Sequence, residues 1–331
     1  MDVDRVYVPL QGGGVRAFDR ESGEPIWSSD VGTTWPLVVS GPFLFAVVPD
    51  GIMALDAATG ARLWIRDLPN AVSAPLSLHA DSLVATTQAG EIAAVRIADG
   101  AIAWRRSLGS VTKHQAASLG GAAVVLTLHD SRVVVVKLAD GALLWERSLP
   151  GTLSAPATAR DRVLVGSTNN FFYALDADSG RESWRWRTGG DVVGAVADAD
   201  RIYFASLDNI LRAVNRDNGN QQWKTEIPTR PSAPPIAVGD VVLTPGVAPR
   251  VDGFVGKTGV ALGSYAASAE LQGLPAIDPD LQPFRVAMAV FTRDGKVTAL
   301  RPTRMLLPDP PLTPLLKLPG RELPPERRPT S

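Results

Sequence analysis

The sequence of 331 residues contains no cysteine and only three histidines. Without cysteine the chain cannot form a disulfide, a thiolate metal site or a cysteine nucleophile, and either redox compartment stays open to it. The histidines, His79, His114 and His129, lie far apart in the sequence, which argues against a zinc site. The sequence therefore predicts no metal site and no bound cofactor.

Long apolar runs are also missing. No stretch of about 18 apolar residues is present, so no membrane span is predicted. The first ten residues, MDVDRVYVPL, lack the apolar core of a signal peptide and are similar to repeat interiors such as RDRVLV (160–165) and ADRIYF (199–204). We therefore expect the chain to begin inside a structural unit, through processing, truncation or the assignment of the start site.

An excess of charge of one sign is absent as well, because 33 Lys and Arg residues balance 34 Asp and Glu residues. Such a chain has no general electrostatic reason to bind nucleic acid or an anionic membrane. Hydrophobic residues make up 45% of the sequence, which is enough for a sizeable core. The balance of charge therefore argues against both of these classes of partner.

Tryptophan, by contrast, recurs in one context. Six of the eight tryptophans follow a glycine by four residues, as in DAATGARLW. They recur every 37 to 41 residues, and a period near 40 indicates a repeat architecture. The tryptophans are Trp27, Trp64, Trp104, Trp145, Trp184 and Trp223, and the glycines are Gly23, Gly60, Gly100, Gly141, Gly180 and Gly219.

Each repeat divides into four short segments of the kind that form β-strands. In residues 150–188 these are SAPATA (154–159), RVLVGST (162–168), FFYALD (171–176) and ESWRWRT (182–188). The pattern predicts a four-stranded antiparallel meander, and meanders of this length in series predict an all-β fold, the β-propeller. Counting second strands gives eight blades, with seven as the alternative.

By this count the first unit lacks its first strand and the last lacks its fourth, so the chain ends should meet in one region of the ring. We expect residues 1–301 to form the propeller. Residues 302–331 include nine prolines, which predicts a poorly ordered tail or, alternatively, an extended arm. The arm would be anchored by its leucines, Leu306, Leu307, Leu315, Leu316 and Leu318.

The glycine and the tryptophan have separate predicted roles. The glycine allows the positive φ of a tight turn between the third and fourth strands, and an Asp before it can accept turn N–H groups. That Asp occurs as Asp19, Asp56 and Asp176. The tryptophan always falls on the same face of the fourth strand, where a large ring is suited to docking one sheet on the next.

The pattern [LV]-D-A-x-[ST]-G-x-x-x-W, clear in Leu55–Trp64 and Leu175–Trp184, resembles the PQQ-type repeat of quinoprotein-like propellers. Among these, the chain most resembles the BamB-type scaffolds of the bacterial cell envelope. That resemblance implies eight blades, no redox cofactor, a periplasmic or envelope location, and loops and sheet edges that bind proteins during outer-membrane protein assembly. We therefore expect other proteins as partners and a propeller that is itself monomeric within such an assembly. The chain departs from the family in lacking a signal segment and a lipobox Cys, which puts membrane anchoring in doubt.

Two other functions are open. The repeat is shared with PQQ-dependent dehydrogenases, and that resemblance would imply a quinone, Ca²⁺, an Asp base and a Cys pair in an enzyme or a small-ligand sensor that uses the central channel. This chain has no Cys and is shorter than those enzymes. The remaining alternative is an extracytoplasmic sensor domain of a larger receptor.

Five residues are candidate contacts for a ligand in the channel or for a partner, and two of them, Trp35 and Trp186, break the repeat. Trp35 replaces the small residue found at the start of other inner strands, and His114 precedes another inner strand. Trp186 lies two residues after Trp184, on the same face, where extra packing between blades is the alternative to binding. Arg185 and Arg187 bring positive charge to the same strand, where they form either a solvated edge or a surface for an acidic partner.

Overall fold

The computed structural model describes residues 1–10, 13–33, 35–271, 276–277, 288–292 and 297–300. All thirty regular elements in these ranges are β-strands, and every pair of neighbouring strands is antiparallel. The predicted Pro-rich segment 302–331 lies outside the described residues. Within the described ranges there is no helix with the length and apolarity that a bilayer crossing requires.

The strands form eight sheets, which we number in chain order. The first three are sheet 1, with β1 (Arg5–Pro9), β2 (Val15–Asp19) and β3 (Pro25–Ser29); sheet 2, with β4 (Val38–Ser40), β5 (Phe43–Val48), β6 (Gly51–Asp56) and β7 (Arg62–Asp67); and sheet 3, with β8 (Ser77–His79), β9 (Ser82–Thr86), β10 (Glu91–Arg96) and β11 (Ile102–Ser107). The next three are sheet 4, with β12 (Ala117–Leu119), β13 (Ala123–Thr127), β14 (Arg132–Lys137) and β15 (Leu143–Ser148); sheet 5, with β16 (Ala157–Ala159), β17 (Arg162–Ser167), β18 (Phe171–Asp176) and β19 (Glu182–Arg187); and sheet 6, with β20 (Val192–Ala197), β21 (Arg201–Ser206), β22 (Ile210–Asn215) and β23 (Gln221–Glu226). The last two are sheet 7, with β24 (Ile236–Val238), β25 (Val241–Pro245), β26 (Arg250–Val255) and β27 (Ala261–Ala266); and sheet 8, with β28 (Ala276–Ile277), β29 (Met288–Phe291) and β30 (Val297–Leu300).

The predicted fold class, an all-β propeller of four-stranded antiparallel blades, is confirmed. Among the described residues six sheets have four strands, whereas the first and last have three. Eight blades therefore overstates the number of complete blades among the described residues. Sheet 1 begins with the strand that is second in the other units, as the repeat count predicted. The predicted lack of a fourth strand in the last unit concerns residues after 300, which lie outside the described residues.

Apolar side chains lie between consecutive sheets rather than in one central core. For example, Val125 and Val135 of sheet 4 pack against Val163 and Leu175 of sheet 5 in a single buried cluster. Similar clusters join each of the other neighbouring pairs from sheet 1 to sheet 7. A four-stranded sheet exposes two apolar faces, and each neighbour covers one of them.

The two ends of the chain close the ring. Val6 and Val8 of sheet 1 share a buried cluster with Ala289 of sheet 8, and Met1 and Phe18 pack against it. The order of the sheets around the ring therefore follows the chain and returns from the last sheet to the first. This contact brings the first sheet and the last described sheet together.

Candidate functional site

The hairpin between the third and fourth strands of each unit is fixed by local hydrogen bonds. In sheet 2 the Asp56 carboxylate accepts from the backbone N–H groups of Ala58 (3.0 Å) and Thr59 (2.8 Å) and from the Thr59 hydroxyl (2.8 Å). These bonds, the one from the Thr59 hydroxyl above all, lower the pKa of Asp56. Asp19 and Asp176 accept equivalent bonds from Ser22 and Ser179, which lower their pKa values in the same way.

Each hairpin glycine also supports the tryptophan of the preceding sheet. Gly100 has φ of +68°, and a Cβ placed on it would lie 2.6 Å from Cε3 of Trp64 in sheet 2. The Trp64 indole Nε1 donates to the carbonyl oxygen of Ile97 in the same hairpin (3.0 Å). We call this surface, formed by the turn glycine and the carbonyl three residues before it, a Trp seat.

The arrangement repeats around the ring. A ring contact of the same kind joins six pairs, namely Trp27 with Gly60, Trp64 with Gly100, Trp104 with Gly141, Trp145 with Gly180, Trp184 with Gly219 and Trp223 with Gly259. Indole-to-carbonyl bonds accompany five of them, from Trp27 to Ala57 (3.1 Å), Trp64 to Ile97 (3.0 Å), Trp104 to Leu138 (2.6 Å), Trp145 to Ala177 (2.7 Å) and Trp223 to Gly256 (2.9 Å). Each large ring therefore fastens one sheet to the next.

Sequence reasoning missed the partner of each glycine. It related Gly60 to Trp64, four residues later, whereas Gly60 supports Trp27 of the preceding sheet. The turn explains the positive φ, but the absent side chain is needed for a second reason, the close approach of an indole. The sequence did contain a signal for this contact, because 33 to 37 residues always separate a tryptophan from the turn glycine of the next unit.

A second bond to the seat comes from the residue two positions after the tryptophan. In sheets 2, 3 and 4 this is an arginine, and the Arg106 guanidinium donates to the carbonyl of Gly141 (3.1 Å). Trp186 occupies the corresponding position in sheet 5, and its Nε1 donates to the carbonyl of Gly219 (2.6 Å). The indole N–H of Trp184 is buried and has no partner among the described residues. Trp186 therefore replaces an arginine at a contact between sheets 5 and 6.

Two sheets depart from the pattern. In sheet 7 the position of the tryptophan is held by Gly263, which is paired with Gly253 of β26. In sheet 1 the turn glycine, Gly23, has φ of +75°, but a Cβ on it would meet no atom of the described residues within 4 Å. The described part of sheet 8, which precedes sheet 1 in the ring, ends with its third strand.

The outer strands share an irregularity next to each tryptophan. The register between the third and fourth strands shifts by one residue, for example between Ala54 and Leu55, so that Leu63 has no cross-strand partner. Such a bulge residue projects from the ladder. The corresponding residues include four aliphatic side chains that expose more than a third of their surface, Ile26, Leu63, Leu144 and Leu262.

The five candidate contact residues do not form one site, because they lie on three different sheets. Trp35, before β4, is half-buried against the cluster shared by sheets 2 and 3. His114, before β12, is half-buried, and burial lowers its pKa, which favours the neutral imidazole at pH 7. The Arg185 guanidinium lies 5.0 Å from the Phe171 ring centroid and 3.6 Å from Glu182.

Arg187 is exposed and lies opposite Phe171 in the β18–β19 pairing, on the same face as Arg185. Trp184 and Trp186 lie on the other face of β19, against the cluster shared with sheet 6. The basic residues and the indoles of this strand therefore point to opposite sides.

One carboxylate is strongly perturbed. Asp208 accepts hydrogen bonds from the Arg212 guanidinium (2.8 Å), the Ser206 hydroxyl (2.6 Å) and the backbone N–H of Gly189 (3.0 Å). Burial by itself favours the neutral acid, but these bonds outweigh it and hold the pKa of Asp208 at about 2. The ion pair lies within the β21–β22 hairpin of sheet 6, and the bond from Gly189 ties the same carboxylate to the loop that leaves sheet 5.

The described residues do not fit a calcium-bound quinone. No group of three or more Asp, Glu or His side chains converges among them in a way that could hold a metal ion. The chain also lacks the Cys pair that the dehydrogenase resemblance implied. We therefore assign no cofactor site and derive no reaction.

Comparisons with known proteins agree with the ring geometry. The family model described as "Outer membrane protein assembly factor BamB" matches residues 11–154 and 150–300. No match was found among curated proteins.

Similar solved structures include BamB from Moraxella catarrhalis, with a TM-score of 0.73, 19% identity, and coverage of 92% of this chain and 93% of that chain. The computationally designed Ika8 protein has a TM-score of 0.75 at 16% identity, with coverage of 91% and 94%. The C-terminal WD40 domain of Sif2 has a TM-score of 0.75 at 11% identity, with coverage of 92% and 93%. At these identities the structural likeness establishes the propeller fold alone. The family match spans well over half of the chain, so the protein belongs to the family described as outer membrane protein assembly factor BamB.

Proposed function

We propose that the protein is a non-catalytic scaffold of the bacterial cell envelope that binds other proteins, in support of outer-membrane protein assembly. Its family membership supports the scaffold role and the envelope location. The carrying observation is the position of its exposed aliphatic side chains. Six of them lie on outermost strands, namely Ile26, Leu63, Ile65, Leu143, Leu144 and Leu262.

An outermost strand has one free main-chain edge, to which an extended peptide can add as a further strand. In β7 the exposed fractions of Leu63 and Ile65 are 47% and 45%, and charged residues, Arg62 and Asp67, end the strand. Apolar side chains next to free backbone groups give a partner both buried area and hydrogen bonds. Strand β7 is therefore the best candidate for the interface.

The experiment compares two double variants that change equivalent positions on different blades. Leu63→Glu/Ile65→Glu places charge on β7, and Gln222→Glu/Lys224→Glu places charge at the matching positions of β23, which are already polar. Purified proteins carrying an affinity tag are incubated with envelope extract, cross-linked and quantified by mass spectrometry.

We expect wild type and the β23 variant to capture the same envelope proteins, and the β7 variant to capture them at least about tenfold less, because hot-spot residues dominate binding. Equal capture by the β7 variant would remove β7 as the interface. If the wild type enriches no envelope protein above background, the scaffold role is contradicted.

A further inference from the structure

Two arginines lie on the same face of the outermost strand of sheet 5. Arg185 and Arg187 of β19 are both exposed, and they lie opposite Tyr173 and Phe171 of β18, respectively. In the equivalent strands β7, β11, β15 and β23 the same two positions hold at most one basic residue. Among these five outer strands, β19 therefore carries the most positive charge on this face.

The described part of the chain neutralises little of this charge. The Arg185 guanidinium lies 3.6 Å from Glu182, but the two side chains are 53% and 29% exposed, and such a pair is weak. Its other contact is the face of the Phe171 ring, 5.0 Å from the centroid. Arg187 forms no ion pair with a described residue. Its guanidinium is therefore available to a carboxylate of another molecule.

The preceding pair of sheets shows how an arginine in this place is neutralised within the chain. Between sheets 3 and 4, Arg132 of β14 forms ion pairs with Glu146 (2.8 Å) and with Asp130 (2.8 Å). Glu146 holds the position in β15 that Arg185 holds in β19. The cleft between sheets 4 and 5 thus has a cation where the preceding cleft has the acid that completes an ion pair.

The opposite wall of the cleft between sheets 4 and 5 adds a further cation. Arg147 of β15 donates to the carbonyl of Gly180 (3.3 Å), and its Nε is buried without a partner among the described residues. The nearby loops 148–152 and 167–170, joined by a bond from the Ser167 hydroxyl to the carbonyl of Pro150 (2.6 Å), contain no Asp or Glu. An acidic group that enters here therefore meets no like charge from these elements.

The spacing of the two arginines specifies the form of the acidic partner. Strand β19 ends its sheet and has a free main-chain edge. Residues two apart in a strand point to the same side, about 7 Å from each other. Acidic side chains at alternate positions of an added strand would therefore lie opposite Arg185 and Arg187, where opposite charges stabilise the pairing.

We propose that the edge of β19 binds an extended segment of a partner protein that has two acidic residues at alternate positions. The carboxylates bind Arg185 and Arg187, and the backbone of the segment pairs with β19. This inference rests on the proposed scaffold function. It gives the scaffold a contact on sheet 5 in addition to β7 on sheet 2, and it names the chemistry of the segment.

The test uses the full chain and a fluorescein-labelled peptide, Gly-Thr-Glu-Val-Glu-Val-Thr-Gly. An isomer with adjacent acids, Gly-Thr-Glu-Glu-Val-Val-Thr-Gly, has the same charge and composition. Fluorescence anisotropy measures binding to the wild type, to Arg185→Gln/Arg187→Gln and to Arg105→Gln/Lys224→Gln. The last variant is the matched control, because it removes the same charge from exposed positions of β11 and β23. Circular dichroism melting confirms that the variants fold.

We expect Arg185→Gln/Arg187→Gln to weaken binding at least about fivefold, because both carboxylates lose their partners. The control variant should change binding at most about twofold, since only long-range charge is altered. The isomer with adjacent acids should bind the wild type at least about threefold more weakly, because neighbouring side chains of a strand point to opposite faces.

Four results would overturn the proposal. They are no binding of the peptide to the wild type, equal losses in the two double variants, equal binding of the two peptides, and self-association of the wild type that Arg185→Gln/Arg187→Gln abolishes, which would make a second copy the occupant. Sedimentation velocity measures the last.

An anionic membrane is the other occupant that a basic edge could bind. Binding of the wild type to phosphatidylglycerol vesicles in place of the peptide, lost in Arg185→Gln/Arg187→Gln, would also overturn the proposal. If the peptide fails while capture of envelope proteins through β7 persists, the scaffold function stands and only the β19 site is lost.

Discussion

The six interfaces that join consecutive sheets from sheet 1 to sheet 7, which we call seams, differ from the region around sheet 8. Six consecutive seams each contain a tryptophan on a turn glycine, whereas sheet 7 presents Gly263 at the tryptophan position and the seat on Gly23 of sheet 1 meets no indole among the described residues. Between the last sheet and the first, the described residues form an apolar cluster around Val6, Val8 and Ala289. Repeated indole contacts thus stabilise the ring from sheet 1 to sheet 7, and the described part of the closing contact has a different composition.

The largest expected effect comes from removing a tryptophan from one of the six seams that contain one. Burying a tryptophan removes about 150–250 Å² from water, which corresponds to about 4–6 kcal/mol as an upper bound. Trp145 is 9% exposed, and we expect Trp145→Ala to lower the free energy of unfolding by about 3–5 kcal/mol in urea denaturation.

Leu144→Ala is the matched control for this change. Leu144 is the neighbouring bulge residue and is 52% exposed, so the substitution should cost no more than about 0.5 kcal/mol. A loss below about 1 kcal/mol for Trp145→Ala would mean that the ring does not fasten sheet 4 to sheet 5.

The comparison becomes sharper when the same substitution is made at Gly100, whose seat holds an indole, and at Gly23, where a Cβ would meet no described atom within 4 Å. Ala at a positive φ costs about 1–2 kcal/mol at either position. At Gly100 the new methyl group also displaces the Trp64 ring, which adds about 1–3 kcal/mol. We therefore expect Gly100→Ala to destabilise more than Gly23→Ala in parallel urea titrations, and equal losses would contradict the role of the turn glycine as an indole support.

The smallest expected effect concerns the Asp208 carboxylate, which accepts hydrogen bonds from Arg212 of sheet 6 and from Gly189 in the loop that leaves sheet 5. The pKa of Asp208 is about 2 in the folded protein, below its ordinary value of 3.8, so its carboxylate stabilises the fold above about pH 4 and the contribution disappears as the pH falls towards 2. The loss should be about 2 kcal/mol, because one pKa unit corresponds to about 1.4 kcal/mol.

Denaturant titrations at pH 6 and pH 2.5 measure this change. Asp208→Asn should be less stable than wild type at pH 6 and should lose less stability on acidification, because it has already lost the carboxylate. Asp50→Asn, at an exposed position, should follow the wild type. If the free energies of unfolding of wild type and Asp208→Asn change identically with pH, the Asp208 carboxylate contributes nothing to stability.

Much of the fold was accessible from the sequence because each unit repeats the same local rules. The predicted second strand RVLVGST (162–168) agrees with β17 to within one residue at either end. β-branched residues in short runs and turn residues at a fixed offset specify a hairpin from local interactions alone. The missing first strand of sheet 1 followed from the same repeat count.

The contacts between units could not be predicted from the sequence, because they depend on how one sheet packs against the next. The sequence places Trp186 and Trp184 on one face, but only the structure shows that the second indole takes the carbonyl that an arginine takes in other seams. Likeness to a WD40 domain at a TM-score of 0.75 shows how little the fold alone says about binding.

The bulge beside each tryptophan has a consequence for how the outer rim meets other molecules. A long, even edge would recruit strands without discrimination and would favour polymerisation of the rings. The displaced residue interrupts that edge, so in β7 the regular pairing positions are restricted to the four residues from Trp64 to Asp67. A four-residue ladder is too short to bind an unrelated strand through backbone hydrogen bonds alone. Recognition must therefore come from the side chains that flank the ladder.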